Sequence, residues 1–194
     1  RQYAPGDDRR HIHWPSTAKR SATSGRCEFM VRQFLDTRRS HLGIVLDCDR
    51  DVWRDEAEFE TAVSVAASVA VRALRDEMEL TQAVGPLVQA RPQKHSALDL
   101  YSRAGLGEEP VGTSCARLAR TSSGVSSVVL VTGPRRELVQ LSHAKAVFGP
   151  DVQVIVVQVE HGAEMTLRRS SGLLVITIEA LGDLPLALAG QTVS

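Results

Sequence analysis

The chain has 194 residues, 43% apolar and 24% charged, with 23 Lys/Arg balanced by 23 Asp/Glu. That size and composition fit one soluble globular domain with a full-sized core. They exclude a membrane span within the chain, since no apolar run reaches about 18 residues, and the neutral charge speaks against nucleic acid as the main partner.

The opening stretch, RQYAPGDDRRHIHWPSTAKR (1–20), shows no apolar periodicity and gathers Pro, Gly, two Asp, four Arg, two His and a Trp. The first clear element is HLGIVLD (41–47), a short apolar run ending in an acid, which predicts a buried strand. RDEAEFETAVSVAASVAVRALRDEM (54–78) follows, with Asp55 as a helix cap and Glu58 closing a capping box. From Ala62 to Leu74 the residues are apolar or small nearly all round, which a central helix tolerates. LTQAVGP (80–86) reads as a strand stopped by Gly-Pro. Short helices are expected at 96–105 and 113–124, each ending near a Gly. SSVVLVTGP (126–134) is a second strand, and RRELVQLSHAKAVFGP (135–150) carries helical spacing at Leu138, Leu141, Ala144 and Phe148. DVQVIVVQVE (151–160) and GLLVITI (172–178) are further strands, and LPLALAG (184–190) is a last short helix or turn.

Apolar strands alternating with helices predict an α/β fold, a mostly parallel sheet with helices on both faces. Ligands of such folds sit beyond the carboxyl ends of the strands. LDCDRD and LVTGP both meet that description.

Three readings of DCDRD compete. Asp47, Asp49 and Asp51 alternate off a strand end, and clustered carboxylates repel unless a cation or basic groups lie among them. Hard oxygen ligands suit Mg or Ca. The pattern resembles the metal-ion-dependent adhesion site of von Willebrand factor A-type domains. That resemblance implies a metal held by Asp47, Asp49, Asp51 and Thr113, with both Ser positions of the family turned to Asp and Gly133 where a further Asp usually stands. Asp47-Cys48-Asp49 also resembles the haloacid-dehalogenase-like phosphatase signature. In that case Asp47 would be the nucleophile, Asp49 the general acid, Thr132 the phosphoryl holder and Lys145 the stabiliser, with Ala187 replacing the second acid of the magnesium site. The third reading is structural: Asp51 or Asp55 caps the helix, and Asp47 or Asp49 satisfies loop amides or pairs with Arg50 or Arg54.

VTGP lacks a phosphate-binding glycine pattern and reads as a tight turn, with Arg135 and Arg136 at the start of the next helix. His11 and His13 would share one side of a strand but have no third ligand at a fixed spacing. No catalytic set is recognisable. Cys27, Cys48 and Cys115 are far apart and form no CxxC, which suits reduced thiols in the cytoplasm. Residues 1–40 carry nine Lys/Arg against four Asp/Glu, while 41–80 carry ten acids against four Arg. Two such segments either neutralise each other in the fold or dock a charged protein.

YAPGDDRRHIHW resembles the signature of domain-of-unknown-function family 58. The matching residues are Tyr3, Gly6, Asp7, Arg10, Ile12 and Trp14, then Ala18, Val31, Arg32 and Phe34, with Lys19 in place of the usual Arg. The resemblance implies a von Willebrand factor A-like, Rossmann-like domain over 41–194. A motif segment, 1–40, is expected to pack on it as a latch or a docking surface. It further implies a non-enzymatic adaptor working with a MoxR-type AAA ATPase, in a parent protein anchored to the membrane with this domain in the cytoplasm. The start without Met is likewise expected of a piece of a longer protein.

Overall fold

A computed structural model describes residues 40–170 and 172–185. These belong to the second of two units, Arg39–Ser194. His11, His13, Cys27, the motif residues Tyr3, Gly6, Asp7, Arg10, Ile12, Trp14, Ala18, Val31, Arg32 and Phe34, and Ala187 all lie outside the described residues.

The strands are β1 (His41–Leu46), β2 (Glu79–Val84), β3 (Leu87–Ala90), β4 (Ser127–Thr132), β5 (Gln153–Val159), β6 (Thr166–Ser170) and β7 (Leu173–Ile178). They form one sheet in the order β3-β2-β1-β4-β5-β7-β6. The five inner strands are all parallel. Both edge strands pair antiparallel with their neighbours.

Every residue of β1 and β7 is buried. A strand covered on both faces has no water-facing side for polar residues, so its sequence reads as an unbroken apolar run. One face packs Leu42, Ile44, Leu46, Val129 and Val131 against Phe59, Ala62, Val65 and Ala66 of α1 (Glu56–Arg75). Leu100 and Tyr101 of α2 (Lys94–Tyr101) join the same layer. The other face packs Val128, Leu130 and Val156 against Cys115 and Leu118 of α3 (Val111–Thr121) and Leu141 and Ala144 of α4 (Leu138–Ala146). From β1 the chain crosses over one face to β2, and from β4 over the opposite face to β5. This is the doubly wound, Rossmann-like arrangement expected from the strand and helix pattern. No described helix is long and apolar enough to cross a membrane.

Two strands were not foreseen. β3 follows β2 through a two-residue loop, Gly85-Pro86, with Val84 facing Leu87. Gly85 has φ 50°, and a positive φ at the first loop residue with Pro second suits a tight hairpin. Gly-Pro thus ends β2 as expected but also joins it to a second strand. β6 is polar and exposed, TLRRS, and carries no apolar signal.

The start of α1 departs from the expected capping box. Asp55 does accept the Glu58 amide at 2.9 Å. Glu58, wholly buried, reaches past the cap to the Arg54 amide at 2.9 Å and also takes the His161 amide at 3.1 Å. One carboxylate therefore ties the helix start to the loop after β5.

Candidate functional site

β1 and β4 are neighbours in the sheet, and the winding reverses between them. Their carboxyl ends therefore open at the topological switch point, where such folds place ligands. The acidic stretch leaves β1 there, and Thr132, Gly133 and Arg136 leave β4 beside it.

Asp47 is 1% exposed. Its Oδ2 accepts the Thr132 hydroxyl at 2.7 Å and Arg136 Nε at 2.9 Å. Its Oδ1 accepts Arg136 Nη2 at 3.0 Å and the Asp49 amide at 3.2 Å. A carboxylate has about four lone-pair sites, and all are taken. Arg136, 7% exposed, also gives Nη2 to Asp49 Oδ2 at 2.8 Å and Nη1 to Gln140 Oε1 at 3.2 Å. Gln140, in the first turn of α4, thus holds the guanidinium by its other amino group.

Burial pushes the Asp47 carboxyl above its ordinary range, and the Arg136, Thr132 and Asp49 donors pull it only part of the way back. Burial likewise works against the Arg136 charge, but its bonds to Asp47 and Asp49 outweigh it and raise its pKa. The guanidinium accordingly stays protonated between the two acids. Cys48, in the same turn, has its thiol pushed up to about 12 by burial and by the Asp47 charge. Cys48 and Cys115 are both free and buried.

Asp49 also serves the backbone. Asp49 Oδ1 accepts the Asp51 amide at 3.2 Å and caps a 3-10 turn, Arg50–Val52. Asp51 is exposed. The Cys48 carbonyl accepts the Gly107 amide at 2.7 Å, and Arg50 N donates to the Gly107 carbonyl at 2.9 Å. The loop before α3 is thereby stitched to the acidic turn. Arg117 and Ser114 both bond Glu109 and the Gly85 carbonyl, which fixes the same loop to the β2–β3 hairpin.

Gly133 explains why the β4 exit carries no side chain. A Cβ there would run into the Val52 carbonyl oxygen, lie 2.8 Å from its carbon and 2.9 Å from Trp53 Cε3. Trp53, 3% exposed, stacks edge-on against Phe59 with ring centroids 5.5 Å apart. The anchored Trp53 turn occupies the volume an aspartate at this position would need.

The metal set Asp47, Asp49, Asp51 and Thr113 does not fit a divalent cation here. Asp47 has no free lone pair, and a guanidinium already lies between Asp47 and Asp49. Asp51 points no bonded oxygen at either, and Thr113 is an exposed residue in the first turn of α3, its amide bonded to the Pro110 carbonyl at 2.9 Å. Among the described residues no three His, Cys, Asp or Glu side chains gather as a metal would require. The phosphatase arrangement meets a similar obstacle. Asp47 could attack only after releasing Arg136 and Thr132, and Lys145 donates to the Gly172 carbonyl at 2.7 Å, at the opposite end of the sheet. Of the structural alternatives, Asp55 capping and amide satisfaction by Asp47 and Asp49 are found. The basic partner is Arg136, however; Arg54 pairs with Glu58 and Glu160 instead. Arg135 and Arg136, expected at the start of the next helix, lie just before it, ahead of its cap Glu137. Which of the two turns inward was not readable: Arg135 is exposed and gives Nη1 to the Trp53 carbonyl.

Neither a protein-family model nor a curated protein matches this chain. Among solved structures the chain is similar to a von Willebrand factor type A protein from Catenulispora acidiphila, at 12% identity and a TM-score of 0.48. The similarity covers 79% of this chain but 42% of that one, so the chain spans less than half of that protein's length.

Proposed function

We propose that this is a non-enzymatic, von Willebrand factor A-like interaction domain of the family-58 kind, with a degenerate adhesion site in which Arg136 takes the place of the cation. The observation that carries this reading is the Arg136 guanidinium bonded to both Asp47 and Asp49 at the switch point. A cation in such a cluster neutralises the acids and orders the loops that carry them. The guanidinium does both, with directional bonds that a rigid fork can hold. It offers no vacant coordination position, so recognition falls to exposed groups around it, Arg50, Asp51 and Arg135. The partner this reading assigns is a MoxR-type AAA ATPase, met in the cytoplasm by a membrane-anchored parent. The motif residues from Tyr3 to Phe34 would give the same partner a second contact.

Two measurements test it. Calorimetry of the domain with Mg, Mn or Ca should give no binding up to about 1 mM, weaker than the usual range of dedicated sites. A cation signal abolished in Asp47→Asn would restore the metal site, and turnover of a generic phosphate ester lost in the same variant would restore the phosphatase. Surface plasmon resonance with the MoxR-type ATPase should show binding that falls at least about tenfold in Arg50→Glu/Asp51→Arg, two exposed changes. Undiminished binding would remove this face from the contact.

A further inference from the structure

At the far edge of the sheet, β6 pairs with β7 on one side only. Half of its backbone donors and acceptors therefore point outward, with no partner among the described residues. Natural edge strands of this kind either repel or recruit another strand. All but the last residue of β6 are exposed, Leu167 at 47%, and Met165 just before it at 48%.

The register assigns its side chains. Arg168 faces Val175 and shares the side of the sheet covered by α4, whereas Arg169 faces Leu174 and shares the α1 side. Beside Arg168 a groove of about 400 Å³ opens between α4 and the edge, lined by Leu138, Arg168, Arg169, Ser170 and Val175. Leu138 is 40% exposed there. No carboxylate pairs with Arg168 or Arg169 among the described residues.

We infer that β6 is a strand-addition site for an extended, acidic segment of a partner protein, independent of the Asp47–Arg136 face. Consecutive strand residues point to opposite faces. An adjacent pair of acids in the incoming strand would meet Arg168 on one face and Arg169 on the other, with apolar neighbours lying over Leu138 and Leu167. A second copy of this chain is a poor occupant. Antiparallel pairing of TLRRS with itself sets arginine against arginine, and like charges directly opposite destabilise a pair.

The test uses the full chain and a fluorescein-labelled Thr-Val-Val-Glu-Glu-Val-Thr-Val peptide, read by polarisation and by hydrogen exchange. Saturable binding is expected that weakens between about 50 and 500 mM salt. It should drop at least about tenfold in Arg168→Glu/Arg169→Glu, whose sites are exposed. New amide protection should be confined to 166–170 and neighbouring strand residues. The inference is overturned if the peptide does not bind, if a Lys-Lys version binds as well, or if protection appears away from β6. Sedimentation showing a concentration-dependent dimer that the double variant abolishes would assign the edge to self-association instead.

Discussion

β1 is bracketed by two buried titratable side chains, His41 where it begins and Asp47 where it has just ended, and the molecule secures them by different means. At the far end Asp47 is bound by an opposite charge, with Arg136 contributing two hydrogen bonds. At the near end His41, 3% exposed, is surrounded by hydroxyls: its Nε2 lies 3.0 Å from Thr81 Oγ1 and 3.1 Å from Ser122 Oγ. The Glu79 carboxylate stands 3.4 Å from Nδ1. A charge locked by charge needs both partners at every pH. A neutral ring among hydroxyls needs only to remain neutral. The carboxyl end of the sheet is thus built around an ion pair that tolerates no loss of a member, while the amino end tolerates ordinary hydrogen-bond changes but resists protonation.

The sharpest way to break this contrast is Arg136→Ala. It leaves Asp47 and Asp49 facing each other with one charge deeply buried, and unpairing a buried ion costs about 3–5 kcal/mol. At this chain length that is a fall in Tm of about 10 °C, measurable by calorimetry. Magnesium or manganese at millimolar levels should recover part of the loss in the variant and do nothing for the wild type, if the guanidinium stands in for a cation. Rescue absent in the variant would make Arg136 a packing residue only. A smaller effect is expected from Gly133→Ala, which tests the steric wall behind the site: one methyl group against the Val52 backbone should cost about 1–3 kcal/mol as overpacking, read from urea midpoints. An unchanged midpoint would mean the Trp53 turn yields freely.

The smallest effect sharpens the other end. Burial pushes the His41 pKa below its ordinary value of 6.5, Glu79 resists and Arg91 adds to the depression. A group with a depressed folded pKa contributes stability that is fully present above its unfolded value and is lost as pH falls through the folded one. The difference in stability between wild type and His41→Gln should therefore be level above about pH 7.5 and shrink as the solution is acidified below 6.5. A difference that grew on acidification would show that Glu79 governs the ring.

Much of this architecture was readable in the amino-acid order. Strands wrapped on both faces must be apolar at successive positions, so HLGIVLD, VVLVT and GLLVITI announced themselves, and Asp55 lay where an α-helix needs an acceptor. The exposed edge strands were not readable in the same way. β3 is four residues long after an ambiguous Gly-Pro, and β6 spends its side chains on water, so burial leaves no trace in either pattern.

That three acids leave the first parallel strand at a sheet's carboxyl edge follows from hydrophobic periodicity, a local property that places strand ends directly. What neutralises them does not. Arg136 lies 89 residues from Asp47 along the chain, and its inward turn depends on Gly133 admitting the Trp53 turn, on Gln140 behind it, and on β1 and β4 being neighbours. Pairing of that kind is a matter of position in three dimensions, and no spacing in the chain encodes it.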